Sequence, residues 1–214
     1  QAQNYDNFFI EFSLPKVLFD TNIFMVYPKQ FLNTLLDVYR TIQSFLGVSI
    51  EPINTWIVQR VDYCYVWKFE NQNIALWVLQ NLTKYQYPRK QLTIWDTSLT
   101  LGGTSSKIDF YLKQPEFKKK DFRKFNKNSQ PLIADFLLEQ AEGCLRFEVT
   151  HKKAKLNSLF GRDITYAEVL NEKNIFDTLN TVLTSFCNTD NLVSMDYYEA
   201  TTKIYSDLSG RTAF

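Results

Sequence analysis

Strict alternation of apolar and polar positions marks three stretches of the chain. In residues 144–150, Leu145, Phe147 and Val149 alternate with Cys144, Arg146, Glu148 and Thr150, the period of a strand with one apolar and one polar face. VQRVDYCYVWKF (58–69) sets Arg60, Asp62 and Cys64 on one face and Val61, Tyr63, Tyr65 and Trp67 on the other. SSKIDFYLK (105–113) opposes Lys107, Asp109, Tyr111 and Lys113 to Ile108, Phe110 and Leu112. Each strand thus carries a basic and an acidic residue two positions apart, on its polar face.

Between these strands the period lengthens to that of helices. KQFLNTLLDVYRTIQSFLG (29–47) ends at Gly47, NQNIALWVLQNLTKY (71–85) has Asn71 as its cap, and QPLIADFLLEQAEG (130–143) ends at Gly143. Residues 164–186 and MDYYEATTKIYSDL (195–208) also read as helices. FFIEFSLPKVLF (8–19) alternates weakly and reads as one strand or two short ones, broken at Pro15. QLTIWDTSLTLGG (91–103) reads as a strand joined to 105–113 by a Gly-Gly turn, and PEFKKKDFRKFNKNS (115–129) as a short basic amphipathic segment.

This order lacks the short βα rhythm of a doubly wound fold. It predicts an α+β domain: an antiparallel sheet with helices packed on one face and an open, charged other face. At 214 residues, 45% hydrophobic and 16% aromatic, the chain can bury the core of a single domain (1–214) and is not disordered. Within it, 1–50 supply an N-terminal strand and helix, and 162–214 a helical tail. The start at QAQN and the end at SGRTAF are compatible with a piece of a longer protein.

Net charge is +1, so any nucleic-acid partner must be met by a local patch. EFKKKDFRKFNK (116–127) is such a patch, with Phe117, Phe122 and Phe125 among its basic residues. It reads either as a solvated amphipathic helix or as a phosphate track with aromatic support. Three dispersed cysteines and no apolar run of membrane-spanning length predict a cytoplasmic protein with reduced thiols and no membrane partner. A single histidine, His151, excludes a histidine-rich metal site within the chain, and its place among lysines suggests a solvated strand end. LGGTSSK (101–107) lacks the spacing of a nucleotide loop.

The charged face has two readings. Its residues could form cross-strand salt bridges of roughly 0.2–1 kcal/mol each. Alternatively its carboxylates could hold a divalent cation while arginines take phosphate, since Mg²⁺ often uses only one or two carboxylates and Arg donates bidentately. Spacing alone leaves both open.

Three blocks then resemble one family in order, spacing and content: residues 57–82, the LTIW…SSKIDFYLKQPEFKKKDF block (92–122) and LLEQAEGCLRFEVTHKKAKLNSLFG (137–161). They are similar to the gene II/X-type replication initiators of filamentous phages and to related phage and plasmid rolling-circle initiators, over about residues 55–161. SMDYYE and SGRTAF resemble that family more weakly. The resemblance implies a rolling-circle-initiator, HUH-endonuclease-like fold with a ferredoxin- or RRM-like core. It implies an origin-DNA-binding and nicking domain, in which a tyrosine attacks a phosphodiester of single-stranded or hairpin DNA with help from Mg²⁺ or Mn²⁺.

Carried onto this chain, the resemblance implies Asp62, Glu148 and Glu116 as metal ligands. It implies Arg60, Arg146, Lys107, Lys113, Lys118, Lys119, Lys120, Arg123, Lys124, Lys152 and Lys153 as DNA contacts. Tyr198 and Tyr205 are the candidate nucleophiles, with Tyr166 a weaker one. Relatives carry histidines in the segment matching KQPEFKKKDF; here Gln114 and lysines stand there. A catalytically silent DNA- or protein-binding relative is therefore the alternative, and a homo-oligomer is left open.

Overall fold

The computed structural model describes residues 9–87, 89–127 and 131–188. The chain divides into two compact units, with the boundary between Ile50 and Glu51. The first contains helices α1 (Leu14–Phe19) and α2 (Pro28–Leu46). Where the sequence suggests a strand broken at Pro15, α1 forms instead. A proline in the first turn sacrifices no helical hydrogen bond, and Asp20 closes the helix in the left-handed region (φ 57°). Gly47 ends α2 in the same region (φ 66°), where the sequence places its stop.

The second unit is an α+β domain built on five antiparallel strands in the order β1-β5-β4-β3-β2. These are β1 (Arg60–Lys68), β2 (Gln91–Trp95), β3 (Ser98–Gly102), β4 (Ser106–Leu112) and β5 (Cys144–Lys152). The stretch 91–103 supplies two strands rather than one. Asp96 and Thr97 form a tight turn between facing Trp95 and Ser98, a device the apolar pattern does not reveal.

The apolar face of the sheet carries the core. Tyr63 and Trp67 of β1, Phe110 of β4 and Phe147 of β5 are buried on it. Phe147 stacks on Trp67 at 5.9 Å and on Phe110 at 4.8 Å between ring centroids. Helix α3 (Gln72–Leu82) packs Ala75, Val78, Leu79 and Leu82 into this core, with the Asn71 side chain accepting from the Ile74 N–H at 3.0 Å. Helices α7 (Lys153–Phe160), α8 (Tyr166–Val169) and α9 (Glu172–Phe186) add Leu156, Val169, Leu179 and Phe186. Each such large side chain withdrawn from water contributes about 1.5–3 kcal/mol.

A second helical group follows β4: α4 (Lys113–Lys120), α5 (Phe122–Lys127) and α6 (Pro131–Ala141). It lies against one end of the polar face, where Lys113 meets the Tyr111 ring; farther along that face Asp109 and Thr150 are also buried. The Lys68 ammonium donates to the carbonyls of Gln140 (3.0 Å) and Glu142 (2.6 Å), and Cys144 Sγ lies 3.3 Å from the Gln140 carbonyl. Gly143 turns the chain from α6 into β5 with φ +65°. A Cβ there would sit 2.5 Å from the Phe69 carbonyl oxygen, so only glycine fits. No helix among the described residues is long and apolar enough to cross a membrane.

Candidate functional site

The three basic-x-acidic strands become neighbours, because β5 lies between β1 and β4. It is antiparallel to both, so the order of charges reverses from strand to strand. Glu148 therefore faces Cys64 on one side and Asp109 on the other, and Thr150 faces Asp62 and Lys107. Arg146 faces Val66 and Tyr111, while Arg60 faces Lys152. The acids Asp62, Glu148 and Asp109 occupy two adjacent rows of the polar face; Arg146 lies to one side of them and Arg60 and Lys152 to the other, while Lys107 shares the row of Asp62 and Thr150.

Each acid is held by the base two positions away in its own strand. Arg60 donates through two nitrogens to Asp62, at 3.0 and 2.6 Å. Lys107 meets Asp109 at 2.7 Å, and Arg146 Nε meets Glu148 Oε2 at 3.1 Å. These in-strand pairs correct the expectation of cross-strand bridges: across β4 and β5, carboxylate stands opposite carboxylate. Thr100 on β3 also donates its hydroxyl to Asp109, and Tyr111 donates to Glu148 at 3.2 Å.

The covered end of the face is a buried polar network. Lys113 is completely buried; its ammonium lies 2.7 Å from Glu116 and 5.5 Å from the centroid of the Tyr111 ring. Burial, helped by the Arg146 charge and opposed by Glu116, brings the Lys113 pKa down to about 8. Burial alone would raise the Glu116 carboxyl, but Lys113 and Lys120 outweigh it and hold the pKa below its ordinary value. Tyr111 is pushed well above the ordinary phenol range, mainly by burial, so its hydroxyl stays protonated and acts as a donor.

Farther along the face, the buried Thr150 hydroxyl oxygen has no hydrogen-bond partner. It stands between Asp62 and Lys107 in the register, two residues from Glu148. Such an orphan is uncommon in a folded protein and calls for an explanation, of which an exogenous ligand is one.

The residues named from the sequence separate as follows. Asp62 and Glu148 lie in the central carboxylate group, whereas Glu116 sits in α4 between Lys113 and Lys120. Arg60, Arg146, Lys107 and Lys152 are on the polar face. Lys153 follows at the start of α7 and pairs with Asp163 at 3.2 Å. Lys118, Lys119, Lys120, Arg123 and Lys124 are exposed on α4 and α5. The aromatic support expected between them turns inward. Phe117 and Phe125 are buried, and Phe117 packs on Phe122 and Phe125 at 6.2 and 6.0 Å.

His151 is not a solvated strand end. It shares the apolar face with Val149, is 4% exposed, and burial lowers its pKa to about 4. It therefore faces away from the carboxylates. Tyr166 packs against the core, and burial raises its pKa above the ordinary phenol range. Tyr198 and Tyr205 lie outside the described residues.

Asp109 belongs with the central acids, although it stands outside the ligand set inferred from the sequence. Its K-x-D spacing is visible in the chain, but its place opposite Glu148 depends on a pairing 39 residues away in sequence. Among the described residues, no group of three or more His, Cys, Asp or Glu side chains could hold a metal ion. Two facing carboxylates suit a hard dication that takes its remaining ligands from water and a phosphate, and the orphaned Thr150 hydroxyl beside them fits such a use.

The family of phage replication-associated proteins of the gene II type, represented by their N-terminal region, matches residues 8–173. No curated protein and no solved structure matches the chain.

Proposed function

Because the chain belongs to the family of the replication-associated gene II protein N-terminal region, a group of phage rolling-circle replication initiators, we propose that it binds single-stranded or hairpin origin DNA across the polar face of its sheet and nicks it there with a divalent cation. The observation that carries this reading is the facing pair Asp109–Glu148, with Asp62 in the next row, Arg146 to one side and Arg60 and Lys152 to the other. A face built only for stability would set base opposite acid. Here two acids face each other, which suits a cation, and Arg146 and the Arg60–Lys152 pair stand on either side, where a phosphate backbone would enter and leave.

In this reading Glu148 and Asp109 would hold Mg²⁺ or Mn²⁺, with Asp62 in the next row on the Glu148 side. The cation would withdraw charge from the scissile phosphate. Arg146 and Tyr111 fix the Glu148 carboxylate, and Arg60 fixes Asp62. Lys107 and Lys152 offer charge to flanking phosphates, and Lys118, Lys119, Lys120, Arg123 and Lys124 extend the track along α4 and α5. The nucleophile is a tyrosine hydroxyl, with Tyr198 and Tyr205 the candidates. It forms a 5′-phosphotyrosine bond while the 3′ oxygen leaves and takes up a proton.

A second reading, a DNA-binding domain without nicking, is favoured by His151, the chain's one histidine, which is buried on the opposite face. One experiment separates the two. The chain is mixed with labelled single-stranded and hairpin origin DNA in Mn²⁺ or EDTA, and intact mass is read under denaturing conditions. A metal-dependent adduct lost in Tyr198→Phe or Tyr205→Phe supports nicking. Binding without an adduct supports the second reading, and absence of binding refutes both.

A further inference from the structure

Most aromatics of the sheet and of the basic helices are turned away from solvent. Tyr63 and Trp67 lie in the core, and the phenylalanines of α4 and α5 pack on one another. One strand aromatic behaves differently. Trp95 ends the edge strand β2 and is 54% exposed, the most exposed aromatic on any strand among the described residues. It faces Ser98, which faces Tyr111, which faces Arg146. This unbroken row places the indole on the same face as the carboxylates. It is also the row from which β4 runs on into α4, the helix that carries Lys118, Lys119 and Lys120.

Register gives the separation. From Asp109 to Trp95 the path crosses two strand spacings and one two-residue step, about 12 Å in all. That is the rise of no more than about four stacked nucleotides. An edge strand has no further strand to cover its outer residue, so a large apolar ring is left beside a charged surface. A phosphate track supplies electrostatic attraction but no grip on bases, and an exposed indole supplies that grip.

We propose that Trp95 is a base-stacking platform, holding one base of single-stranded DNA a few nucleotides from the Asp109–Glu148 site. The proposal rests on the DNA-binding reading above. Stacking makes the contact tolerant of base identity, and the position fixes how the strand threads between the carboxylates and the basic helices.

The test is fluorescence anisotropy with a fluorescein-labelled oligothymidylate and an abasic strand of the same length, on wild type, Trp95→Ala, Trp95→Phe and a Lys118→Ala/Lys119→Ala/Lys120→Ala variant. Circular dichroism checks each fold. Trp95→Ala is expected to bind oligothymidylate about 5- to 150-fold more weakly, with the salt slope unchanged, while Trp95→Phe keeps most of the affinity. The abasic strand should not distinguish wild type from Trp95→Ala, because the ring then has no base to meet.

Equal binding of oligothymidylate by wild type and Trp95→Ala overturns the platform while leaving DNA binding intact. So does a Trp95→Ala effect confined to dissociating a dimer, which assigns the ring to a second copy of the chain. Failure of wild type to bind either strand overturns the DNA reading and the platform together. If Trp95→Ala fails to fold, Trp95→Phe and the abasic comparison on wild type still decide: wild type binding both strands equally overturns the proposal.

Discussion

Asp109 and Glu148 face each other across β4 and β5, and each is tied to a cation two positions away in its own strand. Like charges in facing positions cost about 0.2–1 kcal/mol. Asp109→Asn should therefore leave thermal stability within about 1 kcal/mol of wild type. If the two carboxylates hold a cation, wild type should melt at a higher temperature in Mn²⁺ and the substitution should abolish that rise. Differential scanning calorimetry with Mn²⁺ and with EDTA reads both effects, and a metal-induced rise that survives the substitution would remove Asp109 from the site.

Lys113 is held in the interior by Glu116. Glu116→Gln strands a buried ammonium close to Arg146 and should cost about 3–5 kcal/mol at neutral pH. The folded pKa of Lys113 is lowered to about 8, whereas an unfolded lysine titrates near its ordinary 10.5. Between those values the unfolded chain binds more protons, so this group makes stability rise with pH. Urea unfolding at neutral and mildly alkaline pH should show the gap between wild type and Glu116→Gln narrowing as Lys113 sheds its proton. A gap independent of pH would contradict the assignment.

His151 governs the acid side. Its folded pKa is lowered to about 4 from 6.5, chiefly by burial, with Lys155 and Lys90 also opposing its charge. Above 6.5 the ring is neutral in both states and its contribution to stability is fully present. As pH falls toward 4 only the unfolded chain gains the proton, and the fold loses up to about 3 kcal/mol. His151→Gln should flatten this limb in urea titrations, whereas an unchanged limb would mean that the ring is accessible.

Much of this architecture is legible in the chain, and what is not has a common cause. The faces of β1, β4 and β5 follow from alternation, because a strand's period is local. The Asn71 cap and the Gly47 stop are local as well. Which strands neighbour each other is not. That β5 separates β1 from β4, and so turns three charge pairs into one carboxylate group, depends on contacts between distant segments. His151 shows the same limit from the other side. Alternation puts it with Val149, while the lysines around it suggest water, and only the packed fold shows which influence prevails.

Lys118, Lys119 and Lys120 are exposed on α4. Replacing all three with alanine should weaken single-stranded DNA binding across sequences and flatten the plot of log affinity against log salt by about 2, at roughly 0.7 per phosphate contact. Affinity measured over a salt series checks this, and an unchanged slope would place the backbone elsewhere.

The register between β4 and β5 has a cost of its own. Sliding β5 by two residues would set Asp109 opposite Arg146 and Lys107 opposite Glu148, with every side chain kept on its present face. The same slide would bring Glu148 opposite Asp62 on β1, exchanging one facing pair of acids for another. The sheet is thus locally frustrated at its centre in either register. A dication between Asp109 and Glu148 would relieve that conflict, so a ligand bound there would also act as a proofreader of strand alignment.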